Sequence, residues 1–367
     1  MVKAAKPDVV VLGAGLIGLA VARELLKAGL SVEVVDRGKP GHGASNAAAG
    51  MLSPLAEATE SGPFFDACRA SRDLWLAWHS ELGEESGVTV DYDDSGSLLV
   101  ALSAGEEESL ERLEALARQV GEPASPLPCS EARRRVPGLT DAIRQTLLLA
   151  GEHRVDNVQA LSALVRIVHR LGGTLCSGVE VESVEASAGG VRLIGSDWQQ
   201  ETARLVLAAG AWSGEIPGLP ALPVRPVRGQ MIRVGGAAWE FRGILRSPHF
   251  YAVRRGPSSL LVGSTVEEAG FDDRTTLGGL ARLFEFAVKA LPRLADRPLE
   301  GTWAGLRPGT PDGLPLLGRL GDLPVWAATG HYRNGILLAP WTGRAVAAML
   351  TGGEVPAEAA AFRPDRF

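Results

Sequence analysis

The sequence predicts an α/β protein in which a Rossmann-like nucleotide-binding domain is interrupted by a second, predominantly antiparallel sheet domain. Three observations carry that expectation. Near the start, "DVVVLGAGLIGLAVARELLKAGLSVEVVDRG" (Asp8 to Gly38) reads as strand, tight turn, helix, strand and acidic residue, with Gly13, Gly15 and Gly18 in a Gly-x-Gly-x-x-Gly. "ARLVLAAGAWSG" (Ala203 to Gly214) repeats the pattern of a buried strand ending in glycine, and "VWAAT" near 325–329 supplies a third. Between them, "VRPVRGQMIRV" (Val224 to Val234), "HFYAVRRG" (His249 to Gly256) and "SLLVGSTVE" (Ser259 to Glu267) alternate with period two, the mark of antiparallel strands. Parallel-type signals near 8–36, 174–210 and 325–329 therefore bracket antiparallel-type signals near 90–102 and 224–267. The division expected is a discontinuous nucleotide-binding domain, 1–85, 150–222 and 318–367, with a substrate-binding domain of 86–149 and 223–317.

Composition narrows the class. A chain of 367 residues is long for one core and comfortable for two. Its net charge of -6 argues against nucleic acid, which wants a basic face. Cys68, Cys129 and Cys176 have neither CxxC nor metal-ligand spacing, so no metal is expected and the thiols read as buried and reduced. No basic segment followed by an apolar run precedes the first strand, and no apolar stretch is long enough to span a bilayer. A cytoplasmic enzyme without membrane or nucleic-acid partners is the expectation.

The elements follow in order. Gly13 ends the first strand, Gly15 admits a pyrophosphate to the backbone, and Gly18 lets the helix pack on the strand, while the helix N-terminus offers free N–H groups to phosphate. Asp36, eighteen residues past Gly18, is placed to accept from a ribose 2′-hydroxyl and disfavours a 2′-phosphate, which argues against NADP. By itself it does not separate FAD from NAD. "GKPGHGASNAAAGML" (Gly38 to Leu52) reads as a backbone-exposing loop into a small-residue helix. Apolar spacing predicts helices over Phe64 to Leu82 and Glu106 to Val120, and a strand over Ser95 to Leu102. Asp156 or Asn157 caps a helix that stops at Gly172-Gly173, and strands follow around Glu180 to Glu185 and Val191 to Ile194. From Trp326 to Leu350 the pattern is strand, a turn at Gly330, and a helix beginning near Gly335 whose N–H groups are candidates to face a flavin carbonyl.

"VLGAGLIGLAVARELLKAGLSVEVVDRG", "SNAAAGML", "LVLAAGAWS", "WAGLRPGTPDGLPLLG" and "ATGHYRNGILLAP" together resemble the FAD-dependent D-amino acid oxidase superfamily, and within it most closely the glycine oxidases of thiamine biosynthesis. The resemblance runs from residue 9 to 340, and its most specific parts are "AAAGML" and "GHYRNGILL". It implies a D-amino acid oxidase-like fold whose Rossmann-like domain binds FAD. Leu16, Ile17, Asp36, Arg37, Ala44, Ser45, Ala49, Gly50, Met51 and Val181, with the run His331, Tyr332, Arg333, Asn334, Gly335, Ile336 and Leu337, are the cofactor contacts it implies. Trp212 is a candidate for cofactor contact or for packing.

The resemblance also implies Tyr251, Arg307 and Arg333 as the residues that meet substrate. A guanidinium holds a carboxylate bidentately where an ammonium does not. Arg307 sits in "GLRPGTPDG", read as a Gly/Pro-rich loop, with a surface salt bridge as its plainer reading. For Arg333 the plainer reading is a structural ion pair, and for Tyr251 a satisfied core tyrosine. His249 shares Tyr251's face and either lines the pocket or packs.

The implied reaction is oxidation of glycine, sarcosine or small D-amino acids, with oxygen as acceptor and peroxide as product. Hydride transfer from an amine α-carbon needs positioning rather than a protein base, consistent with no catalytic triad or paired carboxylates standing out. The segment "GLRPGTPDG" lacks cysteine, so non-covalent FAD is expected, and the resemblance implies a homo-oligomer. A quinone-linked D-amino acid dehydrogenase, a sarcosine oxidase-like enzyme, a nicotinamide-dependent dehydrogenase and a non-catalytic nucleotide-binding protein remain alternatives at this point.

Overall fold

The computed structural model describes residues 6–58, 60–236 and 240–367; residues 1–5, the start of the expected segment 1–85, lie outside them. One sheet has six strands in the spatial order Leu316–Arg319, Val325–Thr329, Arg204–Leu207, Val9–Leu12, Val32–Asp36 and Thr174–Ser177. Every pairing is parallel except the outermost, Leu316–Arg319 against Val325–Thr329. Consecutive valines of the first strand serve different cores. Val9 and Val11 pack with the helices Leu16–Lys27, Asn157–Arg170 and Ala339–Thr351, while Val10 and Leu12 pack with Val184, Val191 and Leu193 on the other face. This explains an unbroken VVVL run, because a strand covered on both faces has no polar side.

That second cover is an antiparallel meander of Ser183–Ser187, Gly190–Ile194 and Gln199–Thr202. It corrects the reading of 174–210 as parallel throughout: only the flanking strands at 174–177 and 204–207 are parallel. Asp156 caps the helix Asn157–Arg170, its side chain accepting from the N–H groups of Val158 and Gln159.

The other large sheet has eight strands, ordered Leu299–Gly309, Arg225–Val234, Ser259–Gly263, Tyr251–Arg255, Ile244–Arg246, Ser97–Ala101, Gln145–Leu149 and Ala124–Pro126. One parallel pairing, Ile244–Arg246 with Ser97–Ala101, joins the segments 86–149 and 223–317 within this sheet. Strands do not respect the expected boundaries everywhere. Leu316–Arg319 straddles residue 318, and Tyr92–Asp93 pairs with His153–Val155 across residue 150.

Two local readings are corrected. Cys68 is buried, but Cys129 and Cys176 are only half-buried, because they sit at the start of a short helix and on the edge strand of the six-stranded sheet. The last helix starts at Ala339 and not near Gly335, with Pro340 in its first turn, where a missing N–H costs nothing. No helix among the described residues is long and apolar enough to cross a membrane.

Candidate active site

The carboxyl ends of the central strands open onto a cavity of about 650 Å³, walled on its far side by the face of the eight-stranded sheet. At the near end, Gly13 has φ +115°, and a Cβ there would lie 2.2 Å from the Ala208 carbonyl oxygen. A Cβ on Gly18 would lie 1.9 Å from the carbonyl oxygen of Gly13. These two glycines let the turn close on itself and on the neighbouring strand. Gly15 lines the cavity beside Gly13, and its N–H has no acceptor among the described residues. Asp36 is pinned at the end of its strand: Oδ2 accepts from the Ala14 N–H at 2.7 Å and Oδ1 from the Gly38 N–H at 2.8 Å. Arg37 lies 3.9 Å over the Trp212 ring and 3.9 Å from Glu180. Trp212 thus lines the cavity as the platform for a guanidinium.

Of the expected cofactor contacts, Gly13, Gly15, Ile17, Asp36, Arg37, Ala44, Ser45, Ala49, Gly50, Met51, Val181, His331, Tyr332, Arg333, Gly335 and Ile336 line the cavity. Leu16, Gly18, Asn334 and Leu337 do not. The Leu16 side chain is core, although its N–H donates to Ser45 Oγ at 2.9 Å. Gly18 packs on Gly13. The Asn334 N–H and carbonyl are spent inside the turn, on His331 and Leu338. Leu337 points into the core, while its carbonyl accepts from Ser71 Oγ and Trp75 Nε1.

The C-terminal turn forms the opposite wall. Tyr332 takes φ +47°, and its N–H donates to the Pro308 carbonyl at 3.0 Å, which ties the turn to the strand Leu299–Gly309. The N–H groups of Gly335 and Ile336 have no acceptor among the described residues. His331 is buried with Nε2 3.0 Å from Thr342 Oγ1, and burial lowers its pKa to about 3, so the ring is neutral.

Arg307 is on the strand Leu299–Gly309 and not in a loop, the register setting it opposite Val227. Its guanidinium donates to the Thr265 carbonyl at 3.2 Å and to Ser264 Oγ at 2.5 Å, both neutral acceptors. No carboxylate forms an ion pair with it among the described residues. Two of five N–H donors are thus spent, leaving three for a ligand. Tyr251, the first residue of its strand, is buried and points its hydroxyl at Met231 Sδ, 3.2 Å away, a weak acceptor that a better one displaces. Arg307, Tyr251 and Arg333 all line the cavity. His249 does not: the chain turns at Ser247–Phe250, whose N–H and carbonyl bond each other, and the imidazole is exposed.

Glu57 was not anticipated from sequence. It ends the short helix Pro54–Glu57, lines the cavity, and is nearly buried. Its Oε2 forms an ion pair with Arg333, 2.8 Å from Nε; its Oε1 accepts from Arg246 Nη2 at 2.9 Å and from Arg333 Nη2 at 3.3 Å. Burial pushes this carboxyl up, but Arg333, Arg246 and Arg307 outweigh it and hold it below the usual carboxylate range. Glu152, also buried, accepts from the Ala56 N–H at 2.8 Å, and burial raises its pKa.

Comparison with known proteins settles the family. Residues 8–349 match the family described as FAD dependent oxidoreductase. The chain belongs to the FAD-dependent oxidoreductases. It is 36% identical to the glycine oxidase of Pseudomonas aeruginosa, over 97% of this chain and 98% of that one. It is 35% identical to the bifunctional protein ThiO/ThiG of a Nostoc species, over 94% of this chain and 52% of that longer protein. Its structure superposes on the crystal structure of glycine oxidase from Geobacillus kaustophilus with a TM-score of 0.94 at 32% identity, covering 99% of both chains.

The residues present fit the cofactor of this family. Acceptor-free N–H groups stand at both ends of one cavity, Gly15 by the opening helix and Gly335 and Ile336 by the C-terminal turn. The first suits a pyrophosphate and the second an electron-rich ring carbonyl. Asp36 lines the same wall, a carboxylate of the kind that accepts from a ribose hydroxyl. No cysteine lines the cavity among the described residues.

Proposed function

We propose that this FAD-dependent oxidoreductase is a glycine oxidase, acting on glycine, sarcosine or small D-amino acids and supplying thiazole synthesis in the thiamine route. The observation that carries the reading is Arg307, a cavity-lining guanidinium held only by neutral acceptors and therefore ready for a carboxylate. Similarity to glycine oxidases over nearly the whole chain supports the amine class.

Bound non-covalently, FAD supplies the acceptor for a hydride from the substrate α-carbon and passes the electron pair to oxygen as peroxide. The chain's own residues position the substrate. Arg307 grips the carboxylate, Tyr251 turns its hydroxyl from Met231 to the same group, and Ser264 and the Thr265 carbonyl keep the guanidinium in plane. Asp36, Arg37 and the wall Ala44 to Met51 hold the nucleotide half. A neutral amine enters, the α-carbon loses hydride, and the resulting imine takes up water to give the oxo acid and ammonia or amine. No protein base is needed once the amine is neutral. A cytoplasmic homo-oligomer is part of the same reading.

A peroxide-coupled screen of glycine, sarcosine, D-alanine and D-proline tests it. Oxygen uptake with stoichiometric peroxide is expected. Protein that reduces only dyes, without peroxide, points to a quinone-linked dehydrogenase.

A further inference from the structure

Two arginines stand at the substrate end of the cavity, and their partners differ in kind. Arg333 is held by Glu57 through an ion pair, Nε 2.8 Å from Oε2, and one hydrogen bond from Nη2 to Oε1 at 3.3 Å. Arg307 has neutral partners only. Arg246 grips the same Glu57 oxygen from a position outside the cavity wall, fixing the carboxylate from behind. Glu57 is therefore fixed on the cavity wall and presents its charge, with that of Arg333, to the cavity.

From this we infer that Glu57 sets the charge class of the substrate: by occupying Arg333 it leaves Arg307 as the guanidinium available for a carboxylate, so the site takes monocarboxylate amines and turns away dicarboxylate ones. The inference rests on the amine-oxidase reading above and deepens it. A second substrate carboxylate reaching for Arg333 meets the fixed Glu57 carboxylate, and two like charges sharing one guanidinium repel. With Glu57 neutral, Arg333 becomes a second carboxylate site a short way from the first. Sarcosine and iminodiacetate make a matched pair for this question, since they differ only in carrying a methyl or a carboxymethyl on the amine. An iminodiacetate oxidase shares this fold, with a TM-score of 0.88 at 26% identity, so the scaffold itself accommodates the larger amine.

The test compares kcat/KM for iminodiacetate and sarcosine in the holoenzyme, in Glu57→Gln and in Glu57→Asp. Wild type is expected to prefer sarcosine, Glu57→Gln to raise the iminodiacetate-to-sarcosine ratio roughly tenfold or more, and Glu57→Asp to keep the wild-type ratio. The double variant Glu57→Gln with Arg333→Gln should lose the gain. A ratio is insensitive to a uniform loss of active protein, so damage to folding does not imitate the result. Wild-type enzyme that takes both amines equally well overturns the inference without any variant, as does an unchanged ratio in Glu57→Gln or a gain that survives removal of Arg333. Titrating the flavin absorbance with malonate and acetate gives a second readout: Glu57→Gln should tighten malonate relative to acetate. If wild type oxidises no amine, the functional reading fails, while the malonate-to-acetate comparison still decides whether Glu57 selects charge.

Discussion

Gly229 and Arg307 lie on adjacent antiparallel strands so close together that a Cβ on Gly229 would stand 2.3 Å from the Arg307 guanidinium nitrogens. The missing side chain on one strand is the seat for the charged group of the other. Gly229→Ala should therefore push Arg307 off its line to Ser264 and Thr265. Misplacement by an ångström costs up to about 10²-fold in rate, so kcat/KM for glycine should fall by one to two orders of magnitude. The flavin spectrum should be retained, because Gly229 is far in sequence and role from the dinucleotide turn. Normal kinetics in this variant would remove Gly229 from the argument.

Arg307→Ala should cost on the order of 2–5 kcal/mol in transition-state binding, read from kcat/KM for glycine. Arg307→Lys should recover little of it, since an ammonium cannot bond Ser264 Oγ, the Thr265 carbonyl and both carboxylate oxygens in one plane. A lysine variant as active as wild type would contradict the bidentate role.

Much of the cofactor wall was legible in the sequence because it depends on local backbone chemistry. Gly13 and Gly15 sit at fixed offsets from a strand end, Gly18 packs the turn behind them, and Asp36 closes the next strand, so spacing alone located them. The charged network was not legible. Glu57 meets Arg246, 189 residues on, and Arg333, 276 residues on, and no periodicity marks a residue at the end of a four-residue helix. His249 was misjudged because alternation was extended two residues past the strand's true start at Tyr251, through a turn that reverses the chain. The late start of the last helix had a signal in Pro340, a residue that favours the first turn of a helix over its interior.

Gly13→Ala should abolish the dinucleotide turn. The backbone there sits at φ +115°, which alone costs a residue with a side chain about 1–3 kcal/mol, and the Ala208 carbonyl blocks the new methyl. The purified variant is expected to be colourless or poorly soluble, whereas Asp36→Asn, which keeps the side-chain shape but leaves the Ala14 or Gly38 N–H without its acceptor, should fold with a looser turn and bind FAD more weakly. Absorbance at the flavin bands after gel filtration separates these outcomes.

His331 gives a pH signature. Its folded pKa near 3 lies below the unfolded value of 6.5, so the unfolded chain binds the extra proton between those limits. Stability from this group is complete above pH 6.5 and is lost as pH falls toward 3. The loss is about 2 kcal/mol between pH 6.5 and 5. The gap between urea midpoints of the holoenzyme at pH 7 and pH 5 should shrink in His331→Gln, which retains a partner for Thr342 but does not titrate. An equal pH slope in both proteins would place the effect elsewhere.

Denaturation with acid or heat should release the flavin into the supernatant, as no cysteine lines the cavity among the described residues. Flavin pelleting with the protein would mean a covalent link.

The central strand Val9–Leu12 pairs on one side with Arg204–Leu207, whose first residue is 195 positions further along the chain. At about 5–20 residues per second, a ribosome takes roughly ten to forty seconds to supply that neighbour. Throughout that interval the emerging chain carries a three-valine strand with one open edge and half a nucleotide cradle. Gly335 and Ile336, on the opposite wall, are made later still. Loading of the cofactor is thus a late event of synthesis, and the early chain is a natural client for chaperones that shield unpaired apolar strands.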